Sequence, residues 1–480
     1  MTDSANMRDT AELRQEWKAQ IIGQVRHPDA PGSERHWAPE LDCASRDELA
    51  ALQSDKLRVA VRYMYERSPL FRGKCAEKGL EPGDVRGIED LSSLPITAKE
   101  DMSRDLDERP PWGTYTAVDD ELWMTSGWQL FQTSGTTSAA RPFRYTHFDR
   151  ELWAWTDARA LYAMGLRSGQ DSVMLCFGYG PHVAMWGLHY ALNLMHIPIV
   201  TGGGLDTRAR AGMIERCQPT TLACTPSYAL YLAATLQDLG TSPAESSVNR
   251  LICMGEAMPP ATEERIRSLW ESAVDQFYGC TEAAPSCGGY TCPQGFHFME
   301  DTHVIETVDP ATLEPVALGA PGLSVVTNLC SEASPQIRFL VGDFTSLVYE
   351  PCECGRTHVR AEGGFSGRAD DMLNVRGVTL FPSAIEHVVR GFSELGEEFE
   401  IVLTHKNDMD ELTLVVEPLQ EVSKSAHQEL AVKLENEFRA ALELRPAVEL
   451  RPYGSLPKTE FKAKRVKDLR GSADAVHETG

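Results

Sequence analysis

The loop Thr133-Ser134-Gly135-Thr136-Thr137-Ser138 is the first place in this sequence with an evident chemical use. Its hydroxyls and backbone N–H groups can wrap an anion, and the same composition also serves a plain turn. It lacks the Gly-Lys-Ser/Thr ending of Walker-type phosphate loops. A second segment, Tyr278-Gly279-Cys280-Thr281-Glu282, follows a strand-like run. A hydroxyl beside a carboxylate at a strand's carboxyl end can serve a phosphate and its Mg2+, or can merely start a helix. A third runs from Gly367 through Arg368 and Asp370 to Gly377. A fourth, residues 455–465, gathers Lys458, Lys462, Lys464 and Arg465 near the end of an acidic chain, where a solvated face is the ordinary alternative. Finally, Cys292-x4-His297 and the later Cys352-x-Cys354 supply three thiols and an imidazole. That set fits a tetrahedral, structural Zn2+ site with no open position. Cys287 is the alternative ligand.

The elements that must position these residues alternate in type. Apolar runs at 172–177, 197–201, 221–224, 250–254 and 273–278 predict buried strands. Helical patterns at 183–195, 228–239 and from Pro259 or Pro260 to Trp270 lie between them. This order predicts an α/β fold with a parallel sheet covered by helices. An earlier helical pattern spans 47–78, and after His297 the chain becomes mainly β, at 322–329 and 337–348. A boundary near 363–371 leads into a small α+β unit. There, Ser383 and Glu386 form a capping-box pattern, 400–404 and 411–416 read as paired strands, and Ala426, Leu430, Leu434, Phe438 and Leu442 form one buried helical stripe.

The 480 residues exceed one ordinary domain. We expect an irregular arm at 1–48, a large domain at 49–369 with a β-rich subdomain, and a small, mobile α+β domain at 370–480. With 46 basic and 70 acidic side chains the net charge is −24, which argues against nucleic acid and anionic lipid as partners. No stretch approaches a membrane span, the first twenty residues hold no apolar run, and twelve cysteines are scattered along the chain. These features point to the cytoplasm. A monomer or homodimer is expected.

Taken in order, the four loop motifs resemble the adenylate-forming superfamily of acyl-CoA synthetases, peptide-synthetase adenylation domains and luciferases, and most closely phenylacetate-CoA ligases. Leu94-Pro95-Ile96-Thr97-Ala98-Lys99-Glu100-Asp101, Gly178-Tyr179-Gly180, Thr225-Pro226-Ser227-Tyr228 and Phe381-Pro382-Ser383 extend the similarity over roughly residues 50 to 470. The resemblance implies that ATP and Mg2+ activate an aromatic or arylacetic acid to an acyl-adenylate, which coenzyme A then converts to a thioester. The alternatives are transfer to a carrier protein or an amine, and a degenerate nucleotide-binding regulator. By the same resemblance, Thr133, Ser134, Gly135, Thr136 and Thr137 hold the β- and γ-phosphates. Gly255, Glu256 and Ala257 flank the adenine, Tyr278 and Gly279 lie against it, and Gln276 meets its amino group. Thr281 contacts the α-phosphate, Glu282 binds Mg2+, Asp343 takes the ribose hydroxyls and Arg368 the ribose or phosphate. Asp370 is the hinge and Lys462 bridges the α-phosphate and the attacking carboxylate. Tyr179, Gly180, Met185 and Trp186 wall the acyl pocket.

The chain departs from the family's pattern at several of these places. Ser138-Ala139-Ala140 replace the family's Gly-Lys-Pro, with Arg141 or Arg144 as the substitute charge, and Phe461 replaces the glycine before the lysine.

Overall fold

The computed structural model describes residues 12–16, 18–19, 22, 31–133, 140–284, 289–406, 409–459 and 463–470. Contacts group the chain into two compact units, residues 1–203 with 275–364 and residues 204–274 with 365–480. Ser134, Gly135, Thr136, Thr137 and Lys462 lie outside the described residues. Among the described residues no helix is long and apolar enough to cross a membrane.

In the first unit, Ser45 and Glu48 cap the helix Arg46–Arg67 reciprocally. The single helix expected over 47–78 breaks at Ser68, because Pro69 cannot donate to the turn before it and opens a second helix, Pro69–Glu77. The arm expected to be irregular is helical at 12–16 and 18–19, where Leu13 is buried. The strands Gly127–Gln132 and Pro142–Thr146 form an antiparallel hairpin whose last pair is Gln132↔Pro142. The hydroxyl-rich loop is therefore the hairpin's connection. Thr146 and Asp149 cap the following helix, His147–Ala163.

The strands Val173–Leu175 and Ile199–Thr201 are parallel and are joined through the helix Val183–Leu194, as the alternation predicted. The later part of this unit is an antiparallel run: His303–Val308, Pro321–Asn328, Phe339–Val348, Arg360–Ala361, Gly295–His297, Gly289–Cys292 and Ala273–Tyr278, each pairing with the next.

In the second unit, Thr221–Cys224 and Arg250–Met254 pair in parallel around the helix Pro226–Asp238, followed by the helix Pro260–Trp270. The C-terminal part has its own core. Leu373, Val375, Ile385, Phe399, Ile401, Leu414, Leu434 and Phe438 belong to one buried cluster drawn entirely from 373–444. A four-stranded sheet, ordered Ala447–Leu450, Met409–Pro418, Leu395–Lys406, Val466–Asp468, carries the helix His427–Leu442. The expected stripe buries Leu430, Leu434 and Phe438. The capping box at Ser383 does not form. Pro382 occupies the first turn of the helix Pro382–Arg390, so Ser383 sits inside it and donates to the Ser366 carbonyl.

Candidate active site

The hairpin closes its loop at the neck. Thr133 N–H donates to the Arg141 carbonyl at 3.1 Å, and Arg141 N–H donates to Thr133 Oγ1 at 3.0 Å. From that neck the Arg141 guanidinium reaches Glu282, with Nη2 2.8 Å from Oε1 and both side chains under 10% exposed (7% and 8%). Arg144, the other candidate charge, is held elsewhere by Asp120 and the Val118 carbonyl, each at 2.7 Å. One strand position on, Tyr145 Oη donates to the Thr281 carbonyl at 2.6 Å. Ser334 Oγ donates to the Glu282 carbonyl at 2.9 Å. Two residues that carry no motif, Tyr145 and Ser334, thus fix the backbone of the Thr281–Glu282 pair. Alternation along the hairpin strand hints at Tyr145, but no sequence signal points to Ser334.

The loop carrying Ser334 is itself built on buried charge. Asp149 accepts from Ser331 Oγ and from the N–H groups of Glu332 and Ala333. Thr146 Oγ1 bridges Asp149 and Glu332, at 2.9 and 2.6 Å. Burial, then the neighbouring Glu332 carboxylate, push the Asp149 pKa up to about 6. Glu332 stays ionised because Arg14 and Lys18 from the arm lie on its other oxygen.

Tyr278 ends the strand Ala273–Tyr278, and its hydroxyl donates to Asp343 Oδ2 at 2.5 Å. The expected adenine and ribose residues are therefore neighbours. The Gln276 backbone is tied to Thr291, and Gly279 is exposed. Around the helix Val183–Leu194, Tyr179 Oη lies 2.8 Å from His189 Nδ1, and Trp186 Nε1 donates to the Gly180 carbonyl at 2.9 Å. Trp186 stacks near-parallel on Tyr190, and Trp128 meets Tyr190 edge-on. Burial and then Arg150 lower the His189 pKa, which keeps the ring neutral near pH 7. Met185 is 2% exposed.

In the second unit Gly255 takes φ +83°, a conformation suited to glycine, and Gly255 and Ala257 are both exposed. Glu256 accepts from Ala463 N–H at 2.6 Å and from Ser227 N–H at 3.1 Å. Arg368 and Asp370 face each other at 3.6 Å.

Cys292, His297, Cys352 and Cys354 form one cluster, their ligand atoms all within 4.8 Å of one another. Cys292 Sγ is 3.6 Å from Cys352 Sγ, and Cys354 Sγ is 3.2 Å from His297 Nε2. Bonds of ~2.3 Å to sulfur in a tetrahedron separate two sulfurs by ~3.8 Å, so the donor set has the right size for zinc. His297 Nδ1 lies 3.0 Å from the His358 carbonyl, which leaves Nε2 as the ligand atom. Cys287 lies outside the described residues.

With this geometry in hand, the comparisons are specific. A family model described as AMP-binding enzyme matches residues 77–326, and one described as AMP-binding enzyme C-terminal domain matches 377–470. The phenylacetate-coenzyme A ligase of Thermus thermophilus is 33% identical over 455 residues, covering 90% of this chain and 99% of that protein. The Escherichia coli enzyme of the same name is 30% identical, covering 91% and 98%. Among solved structures, 2-hydroxyisobutyryl-CoA ligase in the postadenylation state with 2-HIB-AMP aligns with a TM-score of 0.86 at 28% identity, over 91% of this chain and 93% of that one. The same ligase with 2-HIB-AMP and CoA in the thioesterification state aligns at 0.68 and 28% identity, over 92% and 94%.

Proposed function

The chain belongs to the AMP-binding enzyme family, and on that premise we propose that it is an AMP-forming acid–thiol ligase for an aromatic or arylacetic acid. In the first step a carboxylate oxygen attacks the α-phosphorus of ATP, forming the acyl–phosphate bond as pyrophosphate leaves. In the second the coenzyme A thiolate attacks the acyl carbon, and AMP leaves with the bonding pair.

The observation that carries this reading is the convergence of separated motifs. The hairpin neck meets Glu282 through Arg141, and Tyr278 meets Asp343. Both steps make or release anions at phosphorus, so the protein's task is positioning and charge neutralisation rather than supplying a nucleophile. Arg141 supplies the cation that the loop itself lacks, Asp343 receives the ribose hydroxyls and Tyr278 covers the adenine. Glu282, a hard oxygen ligand beside the loop, would hold the Mg2+ that screens the phosphates. Lys462 carries positive charge to the α-phosphate, and Asp370 is the pivot at the start of the 370–480 domain.

The acyl site is assigned to Tyr179, Gly180, Met185 and Trp186, of which Met185 is buried. Their aromatic surroundings, and relatives named for phenylacetate, favour a flat acid. Cys292, His297, Cys352 and Cys354 hold a structural Zn2+, and the chain works in the cytoplasm. The test is product analysis by mass after incubation with ATP, coenzyme A and single acids: phenylacetate, benzoate, 2-hydroxyisobutyrate and palmitate. We expect an aryl thioester to dominate. Palmitoyl or 2-hydroxyisobutyryl thioester formed faster than any aryl product would overturn the assignment of the acid.

A further inference from the structure

The turn that carries Glu282 is held by one loop. Ser334 Oγ donates to the Glu282 carbonyl at 2.9 Å, and Asn328 Nδ2 donates to the Ala283 and Ala284 carbonyls at 2.8 and 3.1 Å. Asn328 Oδ1 accepts the N–H groups of Cys330 and Ser331, and Ser331 Oγ accepts the N–H of Ser334 at 2.9 Å. The loop 328–334 therefore sets three successive carbonyls, beginning with that of Glu282.

The loop is in turn held by two buried carboxylates. Asp149 accepts from Ser331 Oγ at 2.9 Å, from Glu332 N–H at 2.7 Å and from Ala333 N–H at 3.1 Å. Glu332 lies within the loop, and its side chain is 0% exposed. The Thr146 hydroxyl stands between the two carboxylates and has a single proton to give. Two carboxylates in one dry site stay ionised together only beside compensating cations.

Those cations come from the N-terminal segment. Arg14 and Lys18 both meet Glu332 Oε1, Lys18 at 2.8 Å. They are four residues apart, the spacing of neighbours on one helical face. Neighbouring contacts fix them there: Leu13 is buried, Arg14 Nη2 donates to Ser126 Oγ at 3.0 Å, and Lys18 Nζ stands 4.8 Å over the Phe148 ring. Two cations thus answer two carboxylates. Resting on the ligase reading above, we propose that Arg14 and Lys18 are positioning residues for ATP use: their charges neutralise the Glu332–Asp149 pair and so hold the loop that places Glu282 against Arg141. Without them one carboxylate must take up a proton or water must enter, and the acceptors that shape the loop weaken.

The test uses the full-length protein and the double variant Arg14→Ala/Lys18→Ala, which keeps Leu13 in place. Removing partners one layer behind a ligand typically costs ~10–100-fold in affinity or activity. In acid-dependent pyrophosphate exchange the KM for ATP should rise about tenfold, with the KM for the acid little changed. Thioester formation from supplied acyl-adenylate and coenzyme A should also change little. Lys18→Ala alone should give a smaller rise, and the exchanged pair Arg14→Lys/Lys18→Arg, which keeps both charges, should restore most of it. In protein free of nucleotide and metal, amide hydrogen exchange at Glu332, Ala333 and Ser334 should speed up in the double variant. In a Glu332→Gln background the double variant should raise the KM for ATP no further. An unchanged KM for ATP, an equal loss in both half-reactions that follows the thermal midpoint, or the same tenfold rise in the Glu332→Gln background would overturn the proposal and leave the ligase reading standing. A wild-type protein with no pyrophosphate exchange on any acid would overturn that reading, and this proposal with it.

Discussion

Arg141→Ala tests the proposal that Arg141 supplies the positive charge that the loop after Thr133 lacks. Arg141 Nη2 and Glu282 Oε1 lie 2.8 Å apart with both side chains nearly buried, and Arg141 also closes the loop's neck on Thr133. Removing one member of such a pair leaves an uncompensated buried charge, which costs about 3–5 kcal/mol. The neck bonds are backbone-mediated on the Arg141 side, so they survive the substitution. The loss should therefore be specific to the pair, and Glu282→Gln alone should also destabilise. The double variant should be more stable than the sum of the two losses allows, by roughly 2 kcal/mol or more. Urea unfolding followed by tryptophan fluorescence suits the measurement, since of nine tryptophans only Trp270 lies in 204–274 or 365–480. Pyrophosphate release should fall ~10²–10³-fold in Arg141→Ala, as expected when a cation is withdrawn from developing phosphate charge. Additive stability losses within ~0.5 kcal/mol would refute the pairing. An undiminished rate would refute the role in catalysis.

Three further outcomes follow from the same site. Lys462→Ala should reduce adenylate formation ~10²–10³-fold and spare thioester formation from supplied adenylate, read by the two half-reaction assays; equal loss in both would contradict the role. Cys352→Ser should lower the thermal midpoint before it alters chemistry, and metal analysis of the wild type should find about one zinc per chain; a metal-free protein of full activity would contradict the site. Asp149 binds a proton more tightly folded than unfolded, so its contribution to stability is complete below the unfolded value of ~3.9 and is lost as pH rises through about 6. That loss is worth about 3 kcal/mol. Unfolding midpoints measured from pH 4 to 7 should show it in the wild type, and Glu332→Gln should shrink it by removing the second cause of the shift. An unchanged slope would contradict the coupling.

The strands Thr221–Cys224, Arg250–Met254 and Ala273–Tyr278 were legible because short apolar runs ended at turn residues, and their bounds match the expectation. The four-residue stripe was legible from its helical period at Leu430, Leu434 and Phe438, which form one buried face, whereas Leu442 is only half-buried and Ala426 precedes the helix. The Cys292–Cys354 cluster was readable because thiols and imidazole at those spacings have few other common purposes. Ser383 was misread because Pro382 fixes where its helix begins, two residues too early for Ser383 to cap it. What could not be read is long-range pairing between residues with no period and no motif. Arg141 finds Glu282 across 141 positions, and Ala463 finds Glu256 across 207. Asp149 and Glu332 would each pass for a solvated carboxylate, and only the fold brings them together with Arg14 and Lys18 over one of them.

The most direct test of the converged site is acid-dependent exchange of labelled pyrophosphate into ATP, measured without coenzyme A. Exchange requires the reversible formation of an acyl-adenylate and nothing later. The site described here predicts exchange with an aryl or arylacetic acid, its loss in Lys462→Ala, and its disappearance when coenzyme A draws the adenylate on to thioester. No exchange with any carboxylic acid, from protein that binds ATP, would contradict the account.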